Sequence, residues 1–529
     1  MNNSITVHLH DGKVMNLAPA TGLNLAQLLF LNGAFQGVPL CSGMGRCGLC
    51  RVKFESAPPA PRKEEIKKFS AEEIESGWRL SCLHTAAAAT IFLPEPERVV
   101  PRISDKFSAT RPEELKQHRD LALAVDLGTT GLHWAFTSNG QIVKSGQELN
   151  PQIGLGSEVM SRLAFASVPQ QCLVLSRLIT DRLKEIIAET GPVEEMVIAG
   201  NPSMTSILAR CDVGGLSSAP YSLPHKGGNV IFLDKDLPQA YIPAHLAPFV
   251  GADITAGVVA LNFSGPEPEY PYLFADLGTN GEFVLALARD RYIVSSVPMG
   301  PALEGVGLSN GRTAGPGAIS AFTLSPMGLA PSFIRNEDGS TKNNNTLPGI
   351  TGTGYLSLCS LLLKAGVLTR EGQFAAGNTP LAARLANNLT EVKGTPALNL
   401  GIADGLVLPA TDVEEILKVK AAFNLAMSAL LAEAGLAPSD LRQLILGGAM
   451  GQHVNVNDLV ATGFIPAETA RITRTAGNTS LAGAIILTNN KTSRDFASSL
   501  PQHSTVLELA GKENFGQKYL ERMIFQYVY

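Results

Sequence analysis

A short motif that occurs twice constrains the fold of this chain more than any other feature. Val125-Asp-Leu-Gly-Thr-Thr-Gly131 recurs as Ala275-Asp-Leu-Gly-Thr-Asn-Gly281, offset by 150 residues. Each copy follows an apolar segment, Leu121–Val125 or Tyr272–Ala275, and precedes another. This pattern predicts a hairpin with a glycine-rich turn. Two copies with related flanks predict duplicated halves of an α/β protein that close on one ligand.

The turn of each predicted hairpin offers groups that bind phosphate. Free backbone N–H groups and threonine hydroxyls in such a turn donate to phosphate oxygens. The aspartate at the end of each strand, Asp126 or Asp276, can hold Mg²⁺ through water or orient an attacking water. One such hairpin would be a weak signal, but two in register favour a nucleotide held between the halves.

A third glycine-rich element lies later in the chain. Leu444–Gly451 reads as a strand that ends in a turn where an adenine ring can approach the backbone, although alone it would be an ordinary strand-to-helix turn. Gly477-Asn478 then opens a helix of small residues. Together these elements resemble the actin/sugar-kinase/Hsp70 ATPase superfamily, which has a ribonuclease H-like fold. The chain lacks the G-x4-G-K-[S/T] motif of a P-loop.

Four of the seven cysteines fall near the N-terminus. Cys41, Cys47 and Cys50 have the spacing C-x5-C-x2-C, and 31 residues separate Cys50 from Cys82. Three thiolates on one glycine-rich loop and a distant fourth are typical of a [2Fe–2S] cluster. The alternative, a structural zinc site, usually pairs two C-x2-C units, and only one is present. His84, close to the fourth cysteine, is expected to face solvent.

Patterning divides the chain into four parts. Residues 1–95 alternate short strands with helices and hold the cysteine loop, which predicts a β-grasp ferredoxin-like domain. Residues 96–120 are rich in proline and charge, as in a linker. Residues 121–265 and 266–529 are expected to form the two ATPase subdomains, the second with a C-terminal extension.

Bulk properties exclude several classes of protein. The net charge of −5 is not typical of nucleic-acid-binding proteins, which usually carry a strongly basic surface. The N-terminus lacks the pattern of a secretory signal, and no apolar run reaches the ~18 residues of a membrane span. The remaining cysteines are scattered singly, which is not a disulfide framework. We therefore expect a cytoplasmic protein without a nucleic-acid or membrane partner.

Further motifs resemble one family across nearly the whole chain: the reductive activators of corrinoid-dependent enzymes. These motifs are Asn150-Pro-Gln152, Val159-Met-Ser-Arg162, Gly200–Thr205, Val250–Gly257 and Gly300–Gly305. The resemblance implies an ATP-dependent protein that reduces the inactive cobalt(II) corrinoid of a methyltransferase corrinoid protein to cobalt(I). The electron would come from the [2Fe–2S] cluster.

The resemblance also implies roles for individual residues. Asp126 and Asp276 would be the catalytic residues that work with Mg²⁺, and Cys41, Cys47, Cys50 and Cys82 would hold the cluster. The expected ATP-binding residues come from all three glycine-rich elements: Gly128, Thr129, Thr130, Gly278, Thr279, Asn280, Gly447 and Gly448.

Two other functions fit the same domains. A small-molecule kinase with a fused ferredoxin domain would need a polar substrate cleft, and a non-catalytic redox sensor would use the nucleotide only as a switch. The sequence leaves open which corrinoid protein is served, the upstream electron donor and the oligomeric state, a homodimer included.

Overall fold

In the computed structural model, the described residues are 4–96, 120–335 except 306, 348–448 except 393, and 454–529 except 489 and 510. The linker expected at 96–120 lies outside them apart from its two end residues, as does the end of the predicted turn at Gly451.

A five-stranded mixed sheet forms the N-terminal domain. Its strands lie in the order β2-β1-β5-β3-β4, and β1 runs parallel to β5 whereas the other pairs are antiparallel. The strands are β1 (Ile5–Leu9), β2 (Val14–Leu17), β3 (Arg51–Phe54), β4 (Trp78–Leu80) and β5 (Ala89–Leu93). The helices are α1 (Leu25–Leu31), α2 (Lys63–Lys68) and α3 (Ala71–Glu75). This order is that of the expected β-grasp domain, here called the ferredoxin domain.

The first ATPase lobe is built on a six-stranded sheet in the order β10-β11-β9-β6-β7-β8. Its strands are β6 (Leu121–Leu127), β7 (Gly131–Ser138), β8 (Gln141–Leu149), β9 (Glu195–Gly200), β10 (Asn229–Ile231) and β11 (Ala240–Ile242). Its helices are α4 (Val159–Ala166), α5 (Pro169–Thr190), α6 (Pro202–Leu208), α7 (Gly214–Ser217) and α8 (Ala252–Phe263).

The second lobe repeats this plan with the order β21-β20-β12-β13-β14-β22. Its main strands are β12 (Tyr272–Leu277), β13 (Asn280–Ala288), β14 (Arg291–Pro298), β20 (Gln443–Gly447), β21 (Thr473–Gly477) and β22 (Ser504–Val506). Smaller sheets join β15 (Ile319–Ser325) to β16 (Gly328–Phe333), and β17 (Leu389–Val392) through β18 (Thr395–Asn399) to β19 (Val407–Pro409). The helices are α9 (Gly352–Ala365), α10 (Pro380–Ala386), α11 (Ala410–Ala434), α12 (Val456–Ala461), α13 (Thr479–Leu487), α14 (Lys491–Ser499) and α15 (Phe515–Glu521).

The duplication is visible in strand pairing. In each lobe an antiparallel meander, β6-β7-β8 or β12-β13-β14, is extended by a parallel strand, β9 or β20, on the same side. Each motif copy joins the first two strands of its meander, as the sequence predicts. Because the motif aspartate is near the end of its strand, both aspartates lie at the edge of a sheet that faces the other lobe.

The ferredoxin domain packs against the first lobe. Phe30 of α1 lies over Gly154, so close that a side chain at Gly154 would collide with its ring. Ser42 Oγ donates a 2.5 Å hydrogen bond to the carbonyl oxygen of Ile153. One continuous apolar core contains Phe30 together with Ile153 and Leu155. The cysteine loop is therefore held against the ATPase rather than only connected to it by a linker.

Candidate nucleotide and iron–sulfur sites

The two predicted phosphate-binding turns, residues 128–130 and 278–280 and here called the phosphate loops, meet between the lobes. Thr130 Oγ1 and Thr279 Oγ1 are 3.3 Å apart. Thr279 also donates to Glu304 Oε1 at 3.0 Å, and Asn201 Nδ2 donates to Thr129 Oγ1 at 2.9 Å. The structure thus brings the two predicted loops to one place, where both can contact the same phosphate chain.

Asp126 is held by hydrogen bonds at the floor of this cleft. It accepts from Asn478 Nδ2 and Ser480 Oγ, both at 2.8 Å, and from His133 Nδ1 at 3.3 Å. Asn478 caps α13, and Ser480 lies in the first turn of that helix. Burial alone would raise the pKa of Asp126, but the hydrogen bonds from these three side chains leave that pKa lowered. Asp126 is therefore a fixed, ionised carboxylate.

Asp276 has the opposite electrostatic surroundings. Burial, followed by the charges of Asp253, Asp126 and Glu304, raises the pKa of Asp276 to about 8. Burial likewise raises the pKa of Asp253 to about 7. The pKa of Glu282, opposite Asp276 on β13, is raised by burial and by the charges of Asp253 and Asp276.

Such crowded carboxylates fit a hard divalent cation, since oxygen atoms are its preferred ligands. Among the described residues of this cleft, no three His, Cys, Asp or Glu side chains are arranged to hold a single metal ion. A magnesium ion bound with nucleotide usually takes one or two carboxylates and fills its other positions with phosphate oxygens and water.

Gly448 approaches Asp276 closely. Its φ is +81°, and a Cβ at Gly448 would lie 2.5 Å from Asp276 Oδ1. A Cβ at Gly447 would lie 2.9 Å from the Phe274 ring and 3.0 Å from Thr479 Oγ1. These two positions need glycine because neighbouring groups occupy the space of a side chain. The third glycine-rich element is thus beside the predicted catalytic aspartate.

The four N-terminal thiols also converge. Hydrogen bonds with the Cys47 and Cys82 thiols lower the pKa of Cys41, whereas those with Cys41 and Cys50 raise the pKa of Cys82. The backbone N–H of Cys47 donates to Cys41 Sγ, and that of Leu49 donates to Cys47 Sγ, both at 3.5 Å. Clustered thiols that accept backbone N–H bonds match the ligand set of an iron–sulfur cluster.

The expectation that His84 faces solvent is wrong. His84 is buried, and its Nε2 lies 2.9 Å from Oε1 of Glu65, which is also buried. Glu65 accepts further hydrogen bonds from the backbone N–H groups of Leu80 and Arg62, at 2.7 and 2.6 Å. The pair therefore ties α2 to the segment that carries Cys82, because a buried charge needs such partners.

Two family profiles match consecutive parts of the chain. The "RACo middle region" matches residues 121–265, and the "C-terminal domain of RACo the ASKHA domain" matches residues 271–528. The chain belongs to this family of reductive activators of corrinoid proteins.

Curated relatives and a solved structure agree with this family. "Corrinoid activation enzyme RamQ" of Eubacterium limosum is 27% identical over 446 residues, which is 78% of this chain and 72% of the relative. "[Co(II) methylated amine-specific corrinoid protein] reductase" of Methanosarcina barkeri is 27% identical over 439 residues, 75% and 76% of the two chains. A solved "Reductive activator for corrinoid,iron-sulfur protein" has the same fold, with a TM-score of 0.67 over 98% of both chains at 20% identity.

Within this family fold, sequence reasoning missed several side chains of the cleft. His133 lies directly opposite Asp126 across the first hairpin, where the second hairpin has Glu282 opposite Asp276. Pairing the two strands around the turn would have revealed His133. Four others come from distant segments: Asp253, Glu304, Asn478 and Ser480. The first three lie in motifs named in the sequence analysis, but nothing in the spacing of those motifs assigned them to this cleft. Among the described residues, none of the helices has both the length and the apolar character needed to cross a bilayer.

Proposed function

We propose that this chain uses ATP to reduce the corrinoid of a partner protein from cobalt(II) to cobalt(I). One observation carries the proposal: a single chain of this family packs the loop that holds three of its four converging thiols directly against a lobe of a two-lobed ATPase, through Ser42 and Ile153. The chain acts as an enzyme that binds an iron–sulfur cluster and a nucleotide and works on a corrinoid protein.

The cluster in this proposal is of the [2Fe–2S] type, with Cys41, Cys47, Cys50 and Cys82 as its ligands. When bound, it supplies one electron, which converts cobalt(II) to cobalt(I), and an upstream donor restores that electron. The loop would contribute three thiolates, Cys82 the fourth, and N–H groups directed at two of the sulfur atoms stabilise negative charge there.

The nucleotide in this proposal is ATP with Mg²⁺. The N–H and side-chain groups of the two phosphate loops bind the phosphates, and the backbone at Gly447 and Gly448 lines the adenosine site. Asp276 and its neighbouring carboxylates would hold Mg²⁺, which would neutralise charge on the phosphates. Asp126 orients the attacking water. Since these groups come from both lobes, nucleotide binding favours the closed cleft, and hydrolysis allows the cleft to open.

In this proposal, each of the four parts expected from the sequence has its own role. Residues 1–95 carry the cluster, 96–120 link it to the ATPase, and 121–265 and 266–529 close on ATP. The partner belongs to a methyltransferase system in the cytoplasm, and a homodimer is compatible with this activity.

Reconstitution with a corrinoid protein encoded beside this gene tests the function. With reductant and ATP, the absorption band of cobalt(I) should appear, and ATP hydrolysis should rise when the cobalt(II) form is added. Omitting ATP should prevent the band. A kinase would instead phosphorylate a small molecule, and a sensor would bind nucleotide without turnover. ATP-independent reduction, or none with any such partner, would refute the proposal.

A further inference from the structure

One segment of the first lobe holds the whole backbone of the first phosphate loop. The side-chain amide of Asn150 donates to the carbonyl oxygen of Gly128 at 2.7 Å. The backbone N–H of Asn150 donates to the carbonyl oxygen of Thr130 at 2.8 Å. Arg162 Nη1 donates to the carbonyl oxygen of Thr129 at 2.8 Å. All three carbonyl oxygens of the loop therefore accept hydrogen bonds from residues 150–162, here called the bridging segment.

The two anchoring side chains of the bridging segment are rigidly placed. Asn150 and Arg162 are fully buried. Asn150 Oδ1 also accepts from the backbone N–H of Gln152 at 2.8 Å, and Arg162 Nε donates to the carbonyl oxygen of Gly156 at 3.0 Å. Buried groups with these partners cannot shift independently, because each lost hydrogen bond would leave a polar atom unpaired. The segment therefore moves as one unit.

The same segment touches the ferredoxin domain at the cysteine loop. Ile153, whose N–H donates to the carbonyl oxygen of Asn150 at 2.9 Å, accepts the hydrogen bond of Ser42. Ser42 directly follows Cys41 and has a positive φ of 44°. The path from a carbonyl group of the phosphate loop to the neighbour of a cluster-binding cysteine thus runs through Asn150, Ile153 and Ser42.

The geometry of a peptide unit makes this path responsive to nucleotide. Because the unit is planar, its N–H and C=O groups point in opposite directions. Turning the N–H groups of the loop toward phosphate must therefore turn the carbonyl groups that the bridging segment holds. We propose that the bridging segment couples nucleotide binding at the first phosphate loop to the reduction of the cluster. This inference rests on the proposed function for its two ligands, ATP and the cluster.

Coupling of this kind is reciprocal. If reduction of the cluster changes nucleotide affinity by some factor, nucleotide changes the reduction equilibrium by the same factor. A tenfold change in affinity corresponds to about 59 mV for one electron. The expected effect is therefore measurable from either side, without any corrinoid protein.

The test uses the full-length protein with its cluster. The midpoint potential is measured by dye-mediated titration with the reduced signal followed by electron paramagnetic resonance, without nucleotide and with ADP or a non-hydrolysable ATP analogue. Nucleotide affinity is measured in parallel on the oxidised and reduced protein. We expect the potential to shift with nucleotide by an amount that matches a change of about tenfold in affinity.

Two variants locate the coupling. Ser42→Gly removes the hydroxyl and suits the positive φ, so the iron content and the nucleotide affinity of the oxidised protein should stay unchanged. The shift of the midpoint potential with nucleotide should be largely lost. Gly154→Ala, which forces the segment away from Phe30, should reduce the shift as well. Ser167→Ala is the control, because that hydroxyl is exposed at the end of α4 and donates to the carbonyl oxygen of Ala164 in its own helix.

The outcomes separate this inference from the proposed function. No shift in the wild type, or a full shift in Ser42→Gly with normal iron content, overturns the coupling even if ATP-dependent corrinoid reduction is observed. A shift that Ser42→Gly abolishes supports the coupling, whether or not a corrinoid protein is reduced.

Discussion

The hydroxyl oxygens of Thr130 and Thr279 lie 3.3 Å apart, although the two residues are 149 positions apart in the chain. The contact joins the second threonine of one motif copy to the threonine of the other. It defines a closed cleft in which the phosphate loops of both lobes contact each other. ATP hydrolysis should therefore depend on residues from both lobes, and removing either contribution should stop it.

Asp276→Asn should lower ATP hydrolysis roughly 100-fold or more, in the range typical of a lost catalytic group. The same change should stabilise the nucleotide-free protein at pH 9, because it removes one of several buried like charges. Phosphate release and thermal unfolding measure the two effects. Normal hydrolysis in this variant would show that Asp276 is outside the catalytic machinery.

His133→Ala should slow hydrolysis about tenfold or more, because the Asp126 carboxylate loses a hydrogen-bond partner and its pKa rises. Added imidazole should restore part of the rate if the ring acts at this position. His503→Ala, an exposed histidine far along the chain, is the control. A wild-type rate in His133→Ala would contradict the role of the Asp126–His133 pair.

Binding of Mg²⁺ with nucleotide should release protons near neutral pH. The pKa values of about 8 for Asp276 and about 7 for Asp253 mean that these acids are partly protonated there. The metal needs the ionised forms, so affinity should increase as the pH rises from 6 to 8, with roughly one proton released per ion at pH 7. Calorimetry in buffers of different ionisation enthalpy counts these protons. Affinity that is independent of pH would argue against metal contact with these carboxylates.

Glu65→Gln should destabilise the ferredoxin domain by about 1–3 kcal/mol, because buried N–H donors lose a charged acceptor. The pKa of Glu65 lies below its ordinary value of 4.5, since hydrogen bonds outweigh burial. Its stabilising effect is thus present above pH 4.5 and is lost as the pH falls through the lower, folded-state pKa. The visible spectrum of the cluster, recorded as the pH is lowered, measures this loss of stability. Glu72→Gln, at an exposed site of α3, should change nothing.

Serine at Cys41, Cys47, Cys50 or Cys82 should remove or distort the cluster spectrum while ATP binding persists, because the thiols and the nucleotide cleft are on different domains. Cys211→Ser, in the first lobe, is the matched control and should leave iron content unchanged. Iron analysis and the visible spectrum provide the readout. Loss of iron in the control would imply a second metal site.

Sequence reasoning succeeded where the pattern was local. The repeated hairpins and the clustered cysteines depend on residues close together in the chain, so spacing sufficed to predict them. It failed for His84, which was expected to face solvent although its ring is buried beside the Glu65 carboxylate. It also could not anticipate Asn478 and Ser480, because they reach Asp126 only after the two lobes have come together.

The apolar core shared by Phe30, Ile153 and Leu155 has a practical consequence for anyone who wishes to work with the ATPase alone. A fragment that starts at residue 120 would expose Ile153 and Leu155 to water and so gain an exposed apolar patch that favours association. Such a fragment should express poorly or self-associate unless these two side chains are made polar. The ferredoxin domain is thus fitted to the first lobe and cannot be exchanged freely. Replacing it with an unrelated ferredoxin would require redesign of the surface of the first lobe on which α1 rests.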